Sequence, residues 1–144
     1  MSREDIVAAA RALIGTPFAH QGRRPRIALD CAGLVVAVAD EIGIRVLDQQ
    51  GYGRRPSNGM LQSAIDGQPC LLRISPVEIQ AGDVLLMRVV RDPQHLAIFA
   101  GYNPDCESET IIHAEIGAGK VCEQRLDDTW RSRIVRAYRF TEAA

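Results

Sequence analysis

The stretch Leu29-Asp30-Cys31-Ala32-Gly33-Leu34-Val35-Val36-Ala37-Val38-Ala39-Asp40-Glu41-Ile42-Gly43 constrains the fold more than any other. Leu34, Val35, Val38 and Ile42 recur at helical spacing, Asp30 is a good N-cap and Gly43 supplies the stop. These residues predict a buried helix, which other elements must cover. Cys31 falls in its first turn, where the positive end of the helix dipole favours a thiolate over a thiol. A lone cysteine in such a place most often fills a packing gap. This one is accompanied by two histidines, His95 and His113, at strand positions downstream. A nucleophile, a base and a residue that orients the base are the parts of a covalent hydrolase.

Around that helix the chain changes character once. Residues 2–14 predict a first helix, with Ser2 and Asp5 resembling a capping box, Ile6, Ala9, Ala10, Leu13 and Ile14 forming one apolar stripe, and Gly15 ending it. Residues 16–22 read as an ordered loop that leads through Arg23-Arg24-Pro25-Arg26 into the cysteine helix. Residues 45–58 look irregular, and Tyr52, Arg54 and Arg55 there are candidates for contacting a ligand. A short helix over residues 59–66 is expected to take its cap from Ser57 or Asn58. Beyond residue 77 the pattern is strand-like, with strands predicted over residues 83–90, 94–100, 110–115, 120–125 and 134–140. A helical turn around Trp130 precedes the last. Helices first and a meandering sheet of about five strands second define a single α+β domain over residues 1–144.

The 144 residues suffice for one core, and a net charge of −1 gives no general electrostatic case for nucleic acid. No stretch is apolar and long enough to insert in a membrane. Met1-Ser2-Arg3-Glu4-Asp5 lacks a signal-peptide pattern, so synthesis in the cytoplasm is expected, with Cys31, Cys70, Cys106 and Cys122 as free thiols. The absence of a C-x-x-C spacing argues against structural zinc.

If the second and third strands form a hairpin about Pro104, His95 stands directly opposite His113 and both imidazoles share one face. That face is expected to be the one on which the cysteine helix packs. A one-residue slip would separate them. In this arrangement Cys31 attacks a carbonyl carbon, His95 takes the thiol proton and His113 fixes the tautomer of His95. The amide of Cys31, beside Asp30, is a natural oxyanion donor, and the loop from Phe18 to Gln21 a source of a second.

Gly15-Thr16-Pro17-Phe18, Asp30-Cys31-Ala32-Gly33-Leu34, Ala81-Gly82-Asp83-Val84, His95-Leu96-Ala97-Ile98-Phe99-Ala100-Gly101 and Ile112-His113-Ala114 occur here in the order of the NlpC/P60 cysteine peptidases. The chain resembles that family over nearly its whole length. The resemblance implies a papain-like α+β fold, with Cys31 as nucleophile, His95 as base and His113 as the orienting residue. It implies cleavage of peptidoglycan stem peptides, commonly between D-glutamate and the following diamino acid, with neither metal nor organic cofactor. Phe18 stands where the family usually has a tyrosine; the ring is kept and the hydroxyl lost, with His20 a candidate substitute donor. Thr16-Pro17-Phe18-Ala19-His20-Gln21-Gly22 and Gly53-Arg54-Arg55-Pro56 look most like the branch found in phages, prophages and gene-transfer particles. That likeness implies a place in a tail-like particle, in contact with tail proteins, and action on the cell wall. Two other readings compete: a tail assembly subunit that keeps the fold, and an amidase or acyltransferase acting on a non-wall substrate.

Overall fold

Ser2 begins the first helix through a reciprocal cap: its hydroxyl accepts from the Asp5 amide at 3.2 Å, and its own amide donates to the Asp5 carboxylate at 2.9 Å. The computed structural model describes residues 2–48, 59–89 and 93–141. Helix α1 (Arg3–Arg11) buries Ile6, Val7, Ala9 and Ala10, and the chain turns away at Gly15, whose φ of +94° lies in the left-handed region. The following loop is stitched to a distant strand: the Gly15 amide donates to the Val121 carbonyl, the Val121 amide to Thr16, and the Phe18 amide to Gly119, each at 2.9 Å. Two-residue strands β1 (Arg23–Arg24) and β2 (Ala28–Leu29) then pair and deliver the chain to helix α2 (Cys31–Glu41).

Helix α3 (Met60–Asp66) takes Gly59 as its N-cap, with no side-chain cap bond. Ser57 and Asn58, the expected caps, lie outside the described residues. The remaining strands are β3 (Leu71–Ile74), β4 (Val84–Arg88), β5 (Pro93–Asn103), β6 (Ser108–Glu115), β7 (Lys120–Arg125) and β8 (Ile134–Phe140). A 3₁₀ turn, Pro76–Glu78, precedes β4, and helix α4 (Asp128–Arg131), capped by Asp127, precedes β8. Among the described residues these strands form one six-stranded antiparallel sheet in the order β3-β8-β4-β5-β6-β7. The arrangement is the expected α+β one, with one strand more than the five read from sequence. The additional strand, β3, has an irregular burial pattern, so it carries no clean alternation to read.

Two cores flank the sheet. Leu34, Val35 and Val38 of α2 meet Val84, Leu86, Leu96, Ile98, Ile112 and Ala114 on one side. On the other, Leu85, Met87, Ala97, Phe99 and Ile111 pack with Leu126 and Ala137, and Trp130 covers them. Residues adjacent in a strand enter opposite cores, as a pleat requires. Buried Asp83 pins the entry of β4, pairing with Arg139 at 2.8 Å and with Arg3 at 3.5 Å.

Candidate active site

The start of α2 is built by close backbone packing. Asp30 caps the helix, accepting from the Gly33 amide at 2.8 Å. Its carboxylate also accepts from the Gln21 amide at 2.9 Å and from Arg23 at 2.8 Å. Those bonds tie the preceding loop to the helix. Gly33 is required by contact rather than by its backbone angles, since a Cβ there would stand 2.0 Å from the Gly22 carbonyl oxygen. Cys31 follows the cap, half-buried at the rim of the first core.

Across the sheet, Nε2 of His95 lies 2.7 Å from Nδ1 of His113, and both residues are buried. Their rings meet edge-on at 4.9 Å. Nε2 of His113 lies 2.8 Å from Oε1 of Gln124 on β7. Trp130 closes this group from outside, 5.0 Å from the His113 ring and 6.1 Å from that of His95. Arg133 stacks 4.6 Å over Trp130.

The expected register and face both need correction. Strands β5 and β6 pair from Ile98↔Ile112, with a shift between Phe99 and Gly101, to Asn103↔Ser108. Extended toward the histidines, that register sets His113 across from Ala97, so His95 and His113 are diagonal neighbours rather than directly opposed. A displacement of two residues preserves the shared face, which is why the imidazoles still meet. By alternation they belong with Ala97, Phe99 and Ile111, on the face away from α2. Leu96, Ile98 and Ala114 hold the α2 face instead, because the apolar helix needs apolar partners. Cys31 packs against the core cluster that holds Leu96, the residue after His95 on β5, and the Leu96 backbone amide favours its thiolate.

Burial decides the protonation states. It pushes the Cys31 thiol up to about 12, reinforced by the charge of Asp30 and opposed by the amides of Leu96 and Ala32. Burial also drives His95 down to about 3, helped by His113 and Arg133, and lowers His113. Burial thus favours the thiol of Cys31 and the neutral imidazole of His95, a direction opposed to the thiolate expected from the helix dipole.

Phe18 packs half-buried against the first core, and His20 places Nε2 3.3 Å from the Gln21 side-chain amide. Tyr52, Arg54 and Arg55 lie outside the described residues. Sequence reasoning missed Gln124 and gave Trp130 only a helical turn. The Gly117-Ala118-Gly119 turn carried a usable signal, because the β6–β7 register it closes sets His113 opposite Cys122 and puts Gln124 on the same face. Among the described residues no cluster of three or more His, Cys, Asp or Glu is placed to hold a metal, and no helix is long and apolar enough to cross a membrane.

An apolar helix with a cysteine at its start, laid on an antiparallel sheet that carries paired histidines, matches a known domain class. The NlpC/P60 family model matches residues 15–139, and the chain belongs to that family of cysteine peptidases. No curated protein sequence matches the chain. Its structure is similar to that of a lipoprotein-like NLP/P60 family protein from Staphylococcus aureus, at 23% identity and a TM-score of 0.66, over 96% of this chain and 41% of that one. It is similar to the NlpC/p60 domain of the peptidoglycan hydrolase SagA, at 23% identity and a TM-score of 0.64, over 95% of this chain and 97% of that domain. Ly7917, solved with the hydrolysing product of MDP, matches at 14% identity and a TM-score of 0.61, over 97% of this chain and 63% of that one. These likenesses define the fold.

Proposed function

We propose that the protein is a cysteine endopeptidase that cleaves peptidoglycan stem peptides, at the amide between D-glutamate and the following diamino acid. The observation that supports this reading is the buried His95–His113 hydrogen bond on β5 and β6, with Cys31 at the start of α2 packed on the cluster that holds Leu96, the next residue of β5. Family membership supports it, as do the similarity to the SagA domain and to Ly7917 with its MDP product.

In this mechanism Cys31 Sγ attacks the carbonyl carbon while its proton passes to Nδ1 of His95. Burial favours the neutral form of both groups, which supports proton transfer in concert with attack. The first intrahelical bond of α2 runs from the Leu34 amide to the Asp30 carbonyl, so the Cys31 amide precedes the ladder and is available to the developing oxyanion. His95 then protonates the leaving amine, the thioester remains on Cys31, and water releases the acid. His113 acts as the positioning residue for His95. Phe18 and His20, on the loop that Asp30 ties down, and Tyr52 and Arg54 are proposed to contact substrate. The chain is further proposed to be made in the cytoplasm and carried to the wall in a tail-like particle, on the likeness of residues 16–22 and 53–56 to that branch.

Purified muropeptides incubated with the protein and followed by mass spectrometry test the reading. Cleavage within the stem peptide that disappears in Cys31→Ala is expected. No cleavage across several wall chemotypes would refute it.

A further inference from the structure

Gln124 ends the hydrogen-bonded series that begins at His95. Its Oε1 lies 2.8 Å from Nε2 of His113, and Nδ1 of His113 lies 2.7 Å from Nε2 of His95. An amide oxygen can only accept, so Nε2 of His113 carries the hydrogen in its bond to Gln124. A neutral imidazole has one N–H, and burial favours the neutral form of His113. Nδ1 of His113 is then a bare acceptor, and Nε2 of His95 must donate to it. With its single hydrogen used there, His95 keeps a lone pair at Nδ1.

The geometry points to Gln124 as a positioning residue that fixes the tautomers of His113 and His95 in series, leaving Nδ1 of His95 as the proton acceptor. The assignment deepens the peptidase reading and rests on it for the identity of the proton donor, Cys31. Three features favour a designed contact over a chance one. Strand pairing opposes Gln124 to Ile111, so the side chain shares the face of His113 one position along. Trp130 stands edge-on to His113 at an interplanar angle of 87°, which restricts rotation of that ring. And a neutral amide holds the tautomer without placing a charge beside two buried imidazoles.

Long-range ¹H–¹⁵N NMR of the intact protein at pH 7 reads the tautomers directly. Both His95 and His113 are expected as Nε2–H in the wild type, a result that needs no variant. Gln124→Met removes the acceptor at similar length and is expected to move His113 toward the Nδ1–H form, and His95 with it. Gln124→Glu keeps an accepting oxygen and is expected to keep the wild-type tautomers. In muropeptide hydrolysis the Met variant should lose up to about 100-fold in kcat with KM little changed, and the Glu variant should recover most of it. A wild-type His113 in the Nδ1–H form, or an unchanged Nε2–H form in Gln124→Met, would overturn the assignment. If the wild type cleaves no muropeptide, the peptidase reading fails, while the spectra still decide the role of Gln124.

Discussion

The bonds that cap the helix of Cys31 lie in a short run of chain, from the Gln21 amide to Gly33, whereas His95 and His113 depend on three strands and a tryptophan from a fourth element. The cysteine side is fixed by local contacts to backbone: a carboxylate cap on two amides, a carbonyl packed on a glycine, and an arginine holding the cap. The histidine side is fixed by side chains handing hydrogen bonds from strand to strand. Strand β7 joins the two, because its start is stitched to the loop before Cys31 and its later part carries Gln124. One side should therefore fail when the backbone cannot fit, and the other when a proton is moved or a ring is lost.

The largest effects should come from the reacting groups. Cys31→Ala is expected to abolish stem-peptide cleavage, and His95→Ala to reduce kcat by roughly 10²–10⁴-fold. His113→Ala, which removes only the orienting partner, should retain more activity than His95→Ala in the same muropeptide assay; equal rates would break the ranking. On the cysteine side, Gly33→Ala forces a methyl against the Gly22 carbonyl and should cost about 3 kcal/mol in denaturant unfolding. An unchanged midpoint would show that the loop yields and that Cys31 is less firmly set than its partners. Asp30→Ala removes the cap and strands the Gln21 amide and Arg23, with an expected loss of about 2 kcal/mol by the same measurement.

Acid should act on the histidine side. His95 is driven from 6.5 to about 3, and His113 is lowered as well, so the unfolded chain takes up protons first as pH falls. Stability is full above the unfolded value of 6.5 and declines below it until His95 itself charges near pH 3. The decline from His95 should be about 1 kcal/mol per pH unit, read as a falling unfolding midpoint between pH 7.5 and 5.5, and His113 adds to it in the same direction. His95→Gln should flatten that slope, and a slope unchanged in the variant would remove His95 as its cause.

Much of the cysteine side was legible in sequence because its determinants are local. Asp30 was readable as a cap, Ser2 with Asp5 as a capping box, and the apolar spacing of α2 as a buried helix; each involves residues within a turn or two. What remained hidden at Gly33 was the reason for the glycine, since the clash is with a loop carbonyl eleven residues upstream. The histidine side depends on register, which sequence specifies less tightly. Pro104 was placed at the hairpin centre, but the turn between Asn103 and Ser108 displaces the pairing and the irregularity between Phe99 and Gly101 takes back only one residue of it, so opposition became a diagonal. The face was misjudged because Leu96 and Ile98 satisfy α2 first, leaving the histidines to the side under Trp130. The thiol's environment was hidden for a related reason: the dipole is visible in the pattern of residues, while the desolvation that opposes it exists only once the chain is packed.

Trapping the intermediate tests the central claim most directly. Intact-protein mass spectrometry of the protein quenched in acid during turnover of a purified disaccharide-peptide should show an adduct equal to the acyl half of the substrate, mapping to Cys31 and absent from Cys31→Ala. Continued hydrolysis by Cys31→Ala, or an adduct on Cys70, Cys106 or Cys122 instead, would contradict the account.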